Sequence, residues 1–348
     1  MPYLGRSGAE RVVFNLLNQL SRDKFELHLL LYKNDPDRNS LLQDLNADVN
    51  VSFLNLEGRI RNSIVSFATK ILKFCKEKKI DTLFISDGVS NAALSPFLFL
   101  FDKKVKKIAR ESNLPTHFEK SSIVRFLYKF FYRKYNTIVV QSNEMYSDLT
   151  QSFRIPVEKV IKINNPLDLD NVNRLSMVES ECNFDKSKIN LLSIGRLTYQ
   201  KGFDLLLNSF SNFKNDNYHL TIIGDGEEKN NLKELVKKLN ILEKVTFIDA
   251  TDNPYNYMKQ SDVFVSSSRW EGYPNVVIES ISCGTPVVAN KYPGGIREII
   301  DEHNGIICDI QLSGELENAI EKVVKLKHVS FDPEVNKKIL LEYESVLL

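Results

Sequence analysis

Short apolar runs alternate along this chain with longer segments in which apolar residues recur at helical spacing. The runs predict short buried strands, and the helical spacing predicts helices between them. The expected strands lie near 26–32, 49–55, 80–86, 105–110, 137–142, 189–194, 219–223, 244–248, 262–266, 286–289 and 305–308. The expected helices cover 9–20, 62–79, 121–135, 143–152 and roughly 333–348. This alternation indicates an α/β protein with parallel sheets.

The length of the chain, 348 residues, favours two domains over a single hydrophobic core. The alternation of strands and helices is interrupted at Asn165-Pro166, and strands resume near residue 189. We therefore predict a first domain over 1–165, a junction over 166–185, a second domain over 186–330 and a C-terminal helix over 331–348.

Two carboxylates stand eight positions apart in the segment 269–280, where Glu271 is followed by a Gly-Tyr-Pro turn and Glu279 lies in the next predicted helix. An expected strand precedes the segment, so both glutamates belong to the carboxyl edge of a sheet, where open α/β sheets bind ligands. Carboxylates there can accept hydrogen bonds from sugar or ribose hydroxyls. The alternative is one surface glutamate and one helix glutamate favoured by the helix dipole.

The segment 195–202, Gly-Arg-Leu-Thr-Tyr-Gln-Lys-Gly, follows another expected strand and places two cations five residues apart. Arginine offers a planar fork to phosphate oxygens and lysine offers a mobile point charge, so the pair suits a diphosphate. A solvated turn before a helix is the alternative. The segment 224–227, Gly-Asp-Gly-Glu, adds a third loop at the same predicted edge. An ordinary glycine turn after a parallel strand explains that loop equally well.

Taken together, these loops resemble those of retaining glycosyltransferases of the large family four, which have the GT-B fold of two Rossmann-like domains facing across a cleft. The resemblance follows one order along nearly the whole chain. It rests on the segments Gly5–Val13, Asn165–Asp168, Gly195–Gly202, Gly224–Glu227, Glu271–Glu279, Gly284–Val288 and Pro293–Gly295.

The resemblance implies a role for each of the site residues. Arg196 and Lys201 are expected to hold the donor diphosphate and stabilise the leaving phosphate, Glu271 to contact the donor sugar, and Glu279 to bond the ribose. Arg196, Lys201 and Glu271 form the implied catalytic set. The implied donor-binding set adds Gly5, Gly8, Gly195, Gly224, Gly226, Glu227, Gly272, Tyr273, Pro274, Asn275 and Val276. Such enzymes use no metal, because cations and helix amides act at the leaving group.

Two departures from the family accompany the resemblance. An apolar strand normally precedes the glycine loop that here begins at Gly5, so the first domain is expected to lack its N-terminal strand. A missing central strand leaves two rows of backbone groups unpaired. Many members also carry a histidine where this chain reads Ala109-Arg110-Glu111-Ser112-Asn113, and His117 is the weak candidate to replace it. The resemblance also suggests that the last helix packs back on the first domain.

Composition restricts the class of protein further. The chain is 43% hydrophobic and 26% charged with a net charge of +1, which gives no indication of a nucleic-acid partner. Four separated cysteines, Cys75, Cys182, Cys283 and Cys308, favour reduced thiols in a reducing compartment. No signal peptide or membrane-spanning run is visible, so the expected location is the cytoplasm. No His/Cys cluster has metal-ligand spacing, so no metal and no cofactor beyond a nucleotide-sugar co-substrate, expected as UDP-linked, is predicted.

Charge is divided unevenly between the two halves of the chain. Residues 1–170 hold 26 Lys and Arg against 19 Asp and Glu, an excess of +7, and the remainder has 20 against 26, an excess of −6. The basic half contains the predicted helix 121–135, whose cations Arg125, Lys129, Arg133 and Lys134 stand among aromatic residues. Such a helix is typical of an anchor on the inner face of an anionic membrane. The alternative is a core helix whose cations reach outward to water.

Three functions remain open at this point. The leading prediction is transfer of a sugar from a nucleotide sugar, with retention, to a lipid-linked or oligosaccharide acceptor in the synthesis of capsule, O-antigen or exopolysaccharide. The second is a catalytically weak partner subunit, which the missing strand and histidine favour and the intact cations and carboxylates oppose. The third, an NAD-dependent oxidoreductase, requires a Gly-x-Gly-x-x-Gly turn after an N-terminal strand, and Gly5–Gly8 lacks both.

Overall fold

The computed structural model describes residues 1–5, 7–56, 58, 60, 63–179, 184–326 and 329–348. The chain forms two compact units. Unit 1 consists of Met1–Leu167 together with Glu334–Leu348, and unit 2 consists of Asp168–Pro333. Cys182, His328 and the first residue of the predicted helix 62–79 lie outside the described residues.

The described residues of unit 1 form six parallel strands and, before the last segment of the unit, six α-helices. Its strands are β1 (His28–Leu31), β2 (Asn50–Phe53), β3 (Thr82–Ile85), β4 (Lys106–Arg110), β5 (Thr137–Val140) and β6 (Val160–Lys162). Its helices are α1 (Gly8–Gln19), α2 (Ile64–Glu77), α3 (Gly88–Leu94), α4 (Pro115–Phe118), α5 (Ser122–Phe131) and α6 (Asn143–Ser147). The five strands predicted from the sequence are confirmed; β6, with three residues, was not predicted, because it is too short to give an apolar run.

The strands of unit 1 belong to two separate sheets. β1 pairs with β2, whereas β3, β4, β5 and β6 form a second sheet in that order. A cavity of about 450 Å³ is lined by residues of both β1 and β3, together with residues of α1 and α2. Met1 runs beside β1, since its amino group donates to Leu30 O and its carbonyl accepts from Tyr32 N, each at 3.1 Å. The gap between the two sheets therefore lies between β1 and β3. Members of the resembled family carry an additional central strand in this sheet.

Unit 2 contains one six-stranded parallel sheet in the order β12-β11-β10-β7-β8-β9. Its strands are β7 (Ile189–Ile194), β8 (Tyr218–Ile223), β9 (Val245–Ile248), β10 (Val263–Ser266), β11 (Val287–Asn290) and β12 (Gly305–Cys308). Its helices are α7 (Leu169–Ser176), α8 (Phe203–Phe210), α9 (Lys229–Lys238), α10 (Tyr255–Gln260), α11 (Asn275–Ser282) and α12 (Glu315–Val323). All six strands predicted for this half of the chain are confirmed.

The strand order of unit 2 determines where a ligand can be held. Strand β7 lies between β8, which follows it in the chain, and β10, which comes much later. The direction in which successive strands are added therefore reverses at β7. The loops that leave β7 and β10 diverge at this point, where open α/β sheets form a ligand-binding crevice. Leu191 in β7 and Val263 in β10 are fully buried in the unit's core, which fixes both loop origins on a rigid support.

The final helix, α13 (Pro333–Leu347), packs on unit 1. Its residues Ile339, Tyr343 and Val346 join the core cluster that contains Val12 and Leu16 of α1. Lys24 forms an ion pair of 2.7 Å with Glu344 at the edge of this contact. Apolar burial therefore returns the end of the chain to the unit in which the chain begins.

Candidate active site

Two loops at the reversal point of unit 2 carry the predicted cations and carboxylates. We call residues 195–202, which follow β7, the lysine loop, and residues 267–275, which follow β10, the glutamate loop. In the lysine loop the Arg196 side chain is exposed. Within the part of unit 2 that the structure describes, no ion pair engages it, so its guanidinium is available to an anion.

Lys201 and Glu271 form an ion pair between the two loops. Lys201 Nζ lies 2.6 Å from Glu271 Oε1, and Ser268 Oγ donates to the same carboxylate oxygen at 2.7 Å. Gln200 Nε2 lies 3.5 Å from the other oxygen, Glu271 Oε2. Glu271 is 9% exposed overall. The predicted catalytic cation and carboxylate are therefore brought together in a sheltered position. Ser268 was not predicted from the sequence, because a serine beside a strand end carries no signal of its own.

The second predicted carboxylate, Glu279, lies on α11 and is 6% exposed. Helix α11 begins at Asn275, directly after the Gly272-Tyr273-Pro274 turn of the glutamate loop. Of the turn residues, Gly272 and Pro274 are buried and Tyr273 is half-buried. Helix α11 therefore begins where the glutamate loop ends, four residues after Glu271.

Close backbone packing accounts for the glycines of the third loop. A side chain at Gly224 would place its Cβ 2.0 Å from Gly195 O, and one at Gly226 would place it 2.4 Å from Leu197 O. The amide of Leu197 also donates to Asp225 O at 2.9 Å. The loop that follows β8 thus packs against the backbone of the lysine loop. This packing alone explains why glycine is needed at both positions, whether or not a ligand binds there. Glu227, in the same loop, is exposed.

The turn Pro293-Gly294-Gly295 supports the glutamate loop in the same way. The Glu271 amide donates to Pro293 O at 3.1 Å, and the Gly295 amide donates to Gly272 O at 2.9 Å. Gly294 has a positive φ of 121°, and a Cβ there would lie 1.7 Å from Glu271 O. This turn holds the backbone of Glu271 in place.

The predicted donor-binding glycines Gly5 and Gly8 belong to unit 1, whereas the other predicted site residues belong to unit 2. Gly5 is buried, and a Cβ there would lie 2.7 Å from Arg38 O. Gly8 is the first residue of α1, where the Glu10 carboxylate accepts from the Ser7 amide at 2.9 Å. Close packing against Arg38 therefore accounts for Gly5, whereas Gly8 is the residue with which α1 begins.

The end of β4, where many members of the resembled family carry a histidine and this chain does not, is occupied by buried side chains. Arg110 is 1% exposed and donates to Ser86 Oγ at 2.9 Å and to the Tyr343 hydroxyl at 3.2 Å. Glu111 accepts from the hydroxyls of Tyr128 and Tyr132, and burial raises the pKa of its carboxyl to about 8. His117, the weak substitute candidate, lies in α4 and is exposed.

Helix α5 presents two chemically different faces. Tyr128 is 3% exposed and packs inward, whereas Ile123, Phe126 and Phe130 are 66%, 53% and 44% exposed. The cations of this helix and of the turn after it point outward with the apolar residues. We define the basic aromatic face as Ile123, Arg125, Phe126, Lys129, Phe130, Arg133 and Lys134, all of which are exposed. Tyr128 and Tyr132 are buried, as the core-helix alternative predicts. Phe126 and Phe130 are exposed, as that alternative does not predict.

The described residues contain neither a cluster of metal-ligating side chains nor a membrane-spanning helix. No group of three or more His, Cys, Asp or Glu residues is placed to hold a metal ion. No described helix combines the length and apolarity needed to cross a bilayer. Cys75, Cys283 and Cys308 are buried free thiols, and burial raises the pKa of each.

Comparison with known proteins places this arrangement in a family. Residues 6–171 match the model of Glycosyltransferase Family 4, and residues 179–338 match that of Glycosyl transferases group 1. The N-acetylgalactosamine-N,N'-diacetylbacillosaminyl-diphospho-undecaprenol 4-alpha-N-acetylgalactosaminyltransferase of Campylobacter jejuni is 32% identical over 88% of this chain and 84% of its own length. The amylovoran biosynthesis glycosyltransferase AmsD of Erwinia amylovora is 34% identical over 56% of this chain and 54% of its own length.

Among solved structures, Anabaena HepE in complex with UDP-glucose superposes with a TM-score of 0.75 at 17% identity, over 99% of this chain and 98% of that chain. This likeness establishes the architecture of two Rossmann-like domains that the sequence predicted. Both halves of the chain match glycosyltransferase models in the expected order, and the two key loops carry the expected cations and carboxylates. The chain is therefore a member of the family-four glycosyltransferases and has their GT-B fold.

Proposed function

We propose that this enzyme transfers a sugar, with retention of configuration, from a UDP-linked donor to a lipid-linked acceptor in the synthesis of a surface glycan. The observation that carries the donor half is the pairing of Lys201 with Glu271, together with the exposed Arg196 in the same loop as Lys201. A cation pair beside an acceptor carboxylate suits a nucleotide sugar, whose diphosphate is anionic and whose sugar presents hydroxyls.

The roles of the site residues follow from their chemistry. Arg196 and Lys201 neutralise the diphosphate as the bond to the sugar breaks, so no metal is needed at the leaving group. Glu271 accepts hydrogen bonds from hydroxyls of the donor sugar, and Glu279 accepts from the ribose. The amides that begin α11, at Asn275 and Val276, add positive potential on the same side.

The choice of UDP and of a lipid-linked acceptor draws on relatives. HepE was solved with UDP-glucose, and the Campylobacter jejuni relative is named for a diphospho-undecaprenol acceptor. AmsD is named for biosynthesis of amylovoran. A lipid-linked acceptor requires the enzyme to reach a membrane surface, and the chain carries a surface suited to it.

The basic aromatic face is the part of unit 1 that we propose to lie on the inner face of an anionic membrane. Its apolar side chains enter the interface, while Arg125, Lys129, Arg133 and Lys134 face the lipid headgroups. Each cation near such a surface contributes about 1 kcal/mol. The enzyme would then work in the cytoplasm as a peripheral membrane protein.

Assay of donor hydrolysis and transfer with a panel of nucleotide sugars, with and without a chelator, tests the donor half. We expect turnover with one or a few UDP-sugars that persists in the chelator. Tight binding of a nucleotide sugar with no turnover on any acceptor would instead support the catalytically weak partner subunit. Loss of turnover in the chelator that magnesium or manganese restores would contradict the metal-free mechanism.

A further inference from the structure

The lysine loop and the glutamate loop are fastened to one another by their backbones and by short side chains. Ser267 Oγ donates to Lys201 O at 2.9 Å, and the Arg269 amide donates to Gln200 O at 2.7 Å. Gln200 Nε2 donates in return to Trp270 O at 3.0 Å. Each loop therefore restricts the other along the stretch that ends at the Lys201–Glu271 pair.

Arg269 adds a clamp outside these backbone contacts. Its guanidinium makes two hydrogen bonds to the Asp204 carboxylate, at 2.8 and 2.6 Å, and a third to Tyr199 O at 2.8 Å. Its Cζ also stacks 3.9 Å from the centre of the Tyr199 ring. Burial opposes the charge on Asp204, yet the hydrogen bonds from Arg269 lower the pKa of that carboxyl. A bidentate pair of this kind fixes orientation as well as distance.

The residues of the clamp lie close along the chain to Lys201 and Glu271, the two residues proposed to act on the donor. Asp204 lies three positions after Lys201, Tyr199 lies two positions before it, and Arg269 lies two positions before Glu271. Between them the backbone has no spare room, because a Cβ at Gly202 would lie 2.2 Å from Ser267 O. A change in the clamp is therefore transmitted to the position of Lys201 relative to Glu271.

We propose that Arg269 is a positioning residue for sugar transfer, holding the lysine loop through Asp204 and Tyr199 so that Lys201 meets the donor diphosphate in register with Glu271. The proposal rests on the proposed roles of Lys201 and Glu271. Misplacement of a reacting group by about 1 Å can reduce a rate on the order of 100-fold. Arg269 itself need not touch the donor for this effect.

The first experiment compares Arg269→Gln, Arg269→Lys and Asp204→Asn with the parent enzyme. We expect kcat to fall about 10- to 100-fold in the Gln and Asn variants, with KM for the acceptor unchanged. Arg269→Lys, which keeps the charge and loses the fork, should fall between them and the parent. Lys244→Gln, which removes an ion pair with Asp216 elsewhere in unit 2, is the matched control and should keep parental kcat. A kcat within twofold of the parent in Arg269→Gln would overturn the proposal.

A second experiment separates positioning from general stability. The fold-decrease in kcat that Lys201→Ala causes is measured in the parent and in Arg269→Gln. We expect this fold-decrease to be at least ten times smaller in Arg269→Gln, because Lys201 is already displaced there. Equal factors in both backgrounds would contradict the proposal.

A third measurement does not depend on turnover. Amide hydrogen exchange over 198–205 should quicken at least tenfold in Arg269→Gln, while the strands of unit 2 keep their protection. Unchanged exchange would overturn the clamp. If the parent transfers sugar from no donor, the proposed function fails, and the exchange result still decides whether Arg269 holds the loop.

Discussion

Lys201 Nζ lies 2.6 Å from Glu271 Oε1, and the two side chains are only 18% and 12% exposed. Charges this sheltered interact more strongly than they would in water, and removal of either one leaves the other poorly compensated. The pair joins the loops that leave β7 and β10, so the two charges that we propose to act on the donor also connect the loops that carry them.

Removal of the lysine should abolish most of the activity. Lys201→Ala is expected to lower kcat about 100- to 1,000-fold, because a positioned cation at the leaving phosphate is lost. The fold should persist, as judged by circular dichroism. Lys237→Ala on the exposed face of α9 is the control and should be silent. Turnover of Lys201→Ala close to that of the parent would refute the assignment.

The two glutamates should separate nucleotide binding from sugar transfer. Glu279→Gln is expected to weaken binding of the bare nucleoside diphosphate, because a ribose hydroxyl loses its charged acceptor, at a cost of about 1–3 kcal/mol. Glu271→Gln should leave that binding nearly intact and slow transfer. Calorimetry with nucleoside diphosphate measures the first effect and a transfer assay the second. Equal weakening of nucleotide binding by both changes would contradict this division.

A methyl group at Gly294 should damage the site more than one at another positive-φ glycine. Gly294→Ala would press its Cβ against Glu271 O, so kcat is expected to fall at least tenfold, with a loss of about 1–3 kcal/mol in unfolding free energy. Gly314→Ala has a φ of 77° but meets nothing nearer than 3.9 Å. It should cost about 1–2 kcal/mol through backbone strain alone and leave kcat unchanged. Similar kcat values for both variants would show that the turn does not hold Glu271.

Glu111 should make unit 1 less stable as the pH rises. Burial raises the pKa of its carboxyl from 4.5 to about 8, so the folded protein keeps a proton that the unfolded chain releases. Its contribution is fully present below about pH 4.5 and is lost as the pH rises through about 8. Glu111→Gln cannot ionise, so its unfolding free energy relative to the parent should improve between pH 5 and pH 8. Denaturant titrations at both values measure the difference; a constant gap would contradict the shift.

The basic aromatic face should hold the protein on anionic vesicles at low salt. The parent is expected to sediment with them and to be released as salt rises, because polybasic attraction is screened. A variant with Arg125, Lys129, Arg133 and Lys134 changed to Gln should remain in the supernatant and still bind donor nucleotide.

A charge-matched control tests whether membrane binding depends on the basic aromatic face or only on the net charge of the protein. Four lysines of unit 2 changed to Gln, at Lys233, Lys237, Lys238 and Lys244, should leave sedimentation as in the parent. If the variant of the basic aromatic face sediments as well as the parent, the membrane proposal is wrong and a soluble acceptor becomes the better explanation.

Local sequence alone predicted every strand of the described residues except β6, and it predicted the loops that carry Lys201 and Glu271. An apolar run bounded by turn residues, such as 262–266, is enough to predict a buried strand. The end of that strand predicts that Glu271 lies at the carboxyl edge of the sheet. The same holds for α8, whose Phe203, Leu206, Leu207 and Phe210 repeat at helical spacing and are all buried.

Only the tertiary structure decided which of these residues meet. Arg269 and Pro293 hold Glu271 or its partner loop through contacts between segments distant along the chain, and hydrogen bonds between such segments leave no periodic trace in sequence. Ser268 lies only three residues from Glu271, but its hydrogen bond to that carboxylate follows no repeating pattern either. The same reason explains Gly224 and Gly226, whose need for glycine comes from the carbonyls of Gly195 and Leu197. Strand and helix are determined by neighbours along the chain, whereas a paired lysine and glutamate depend on how the strands are ordered in the sheet.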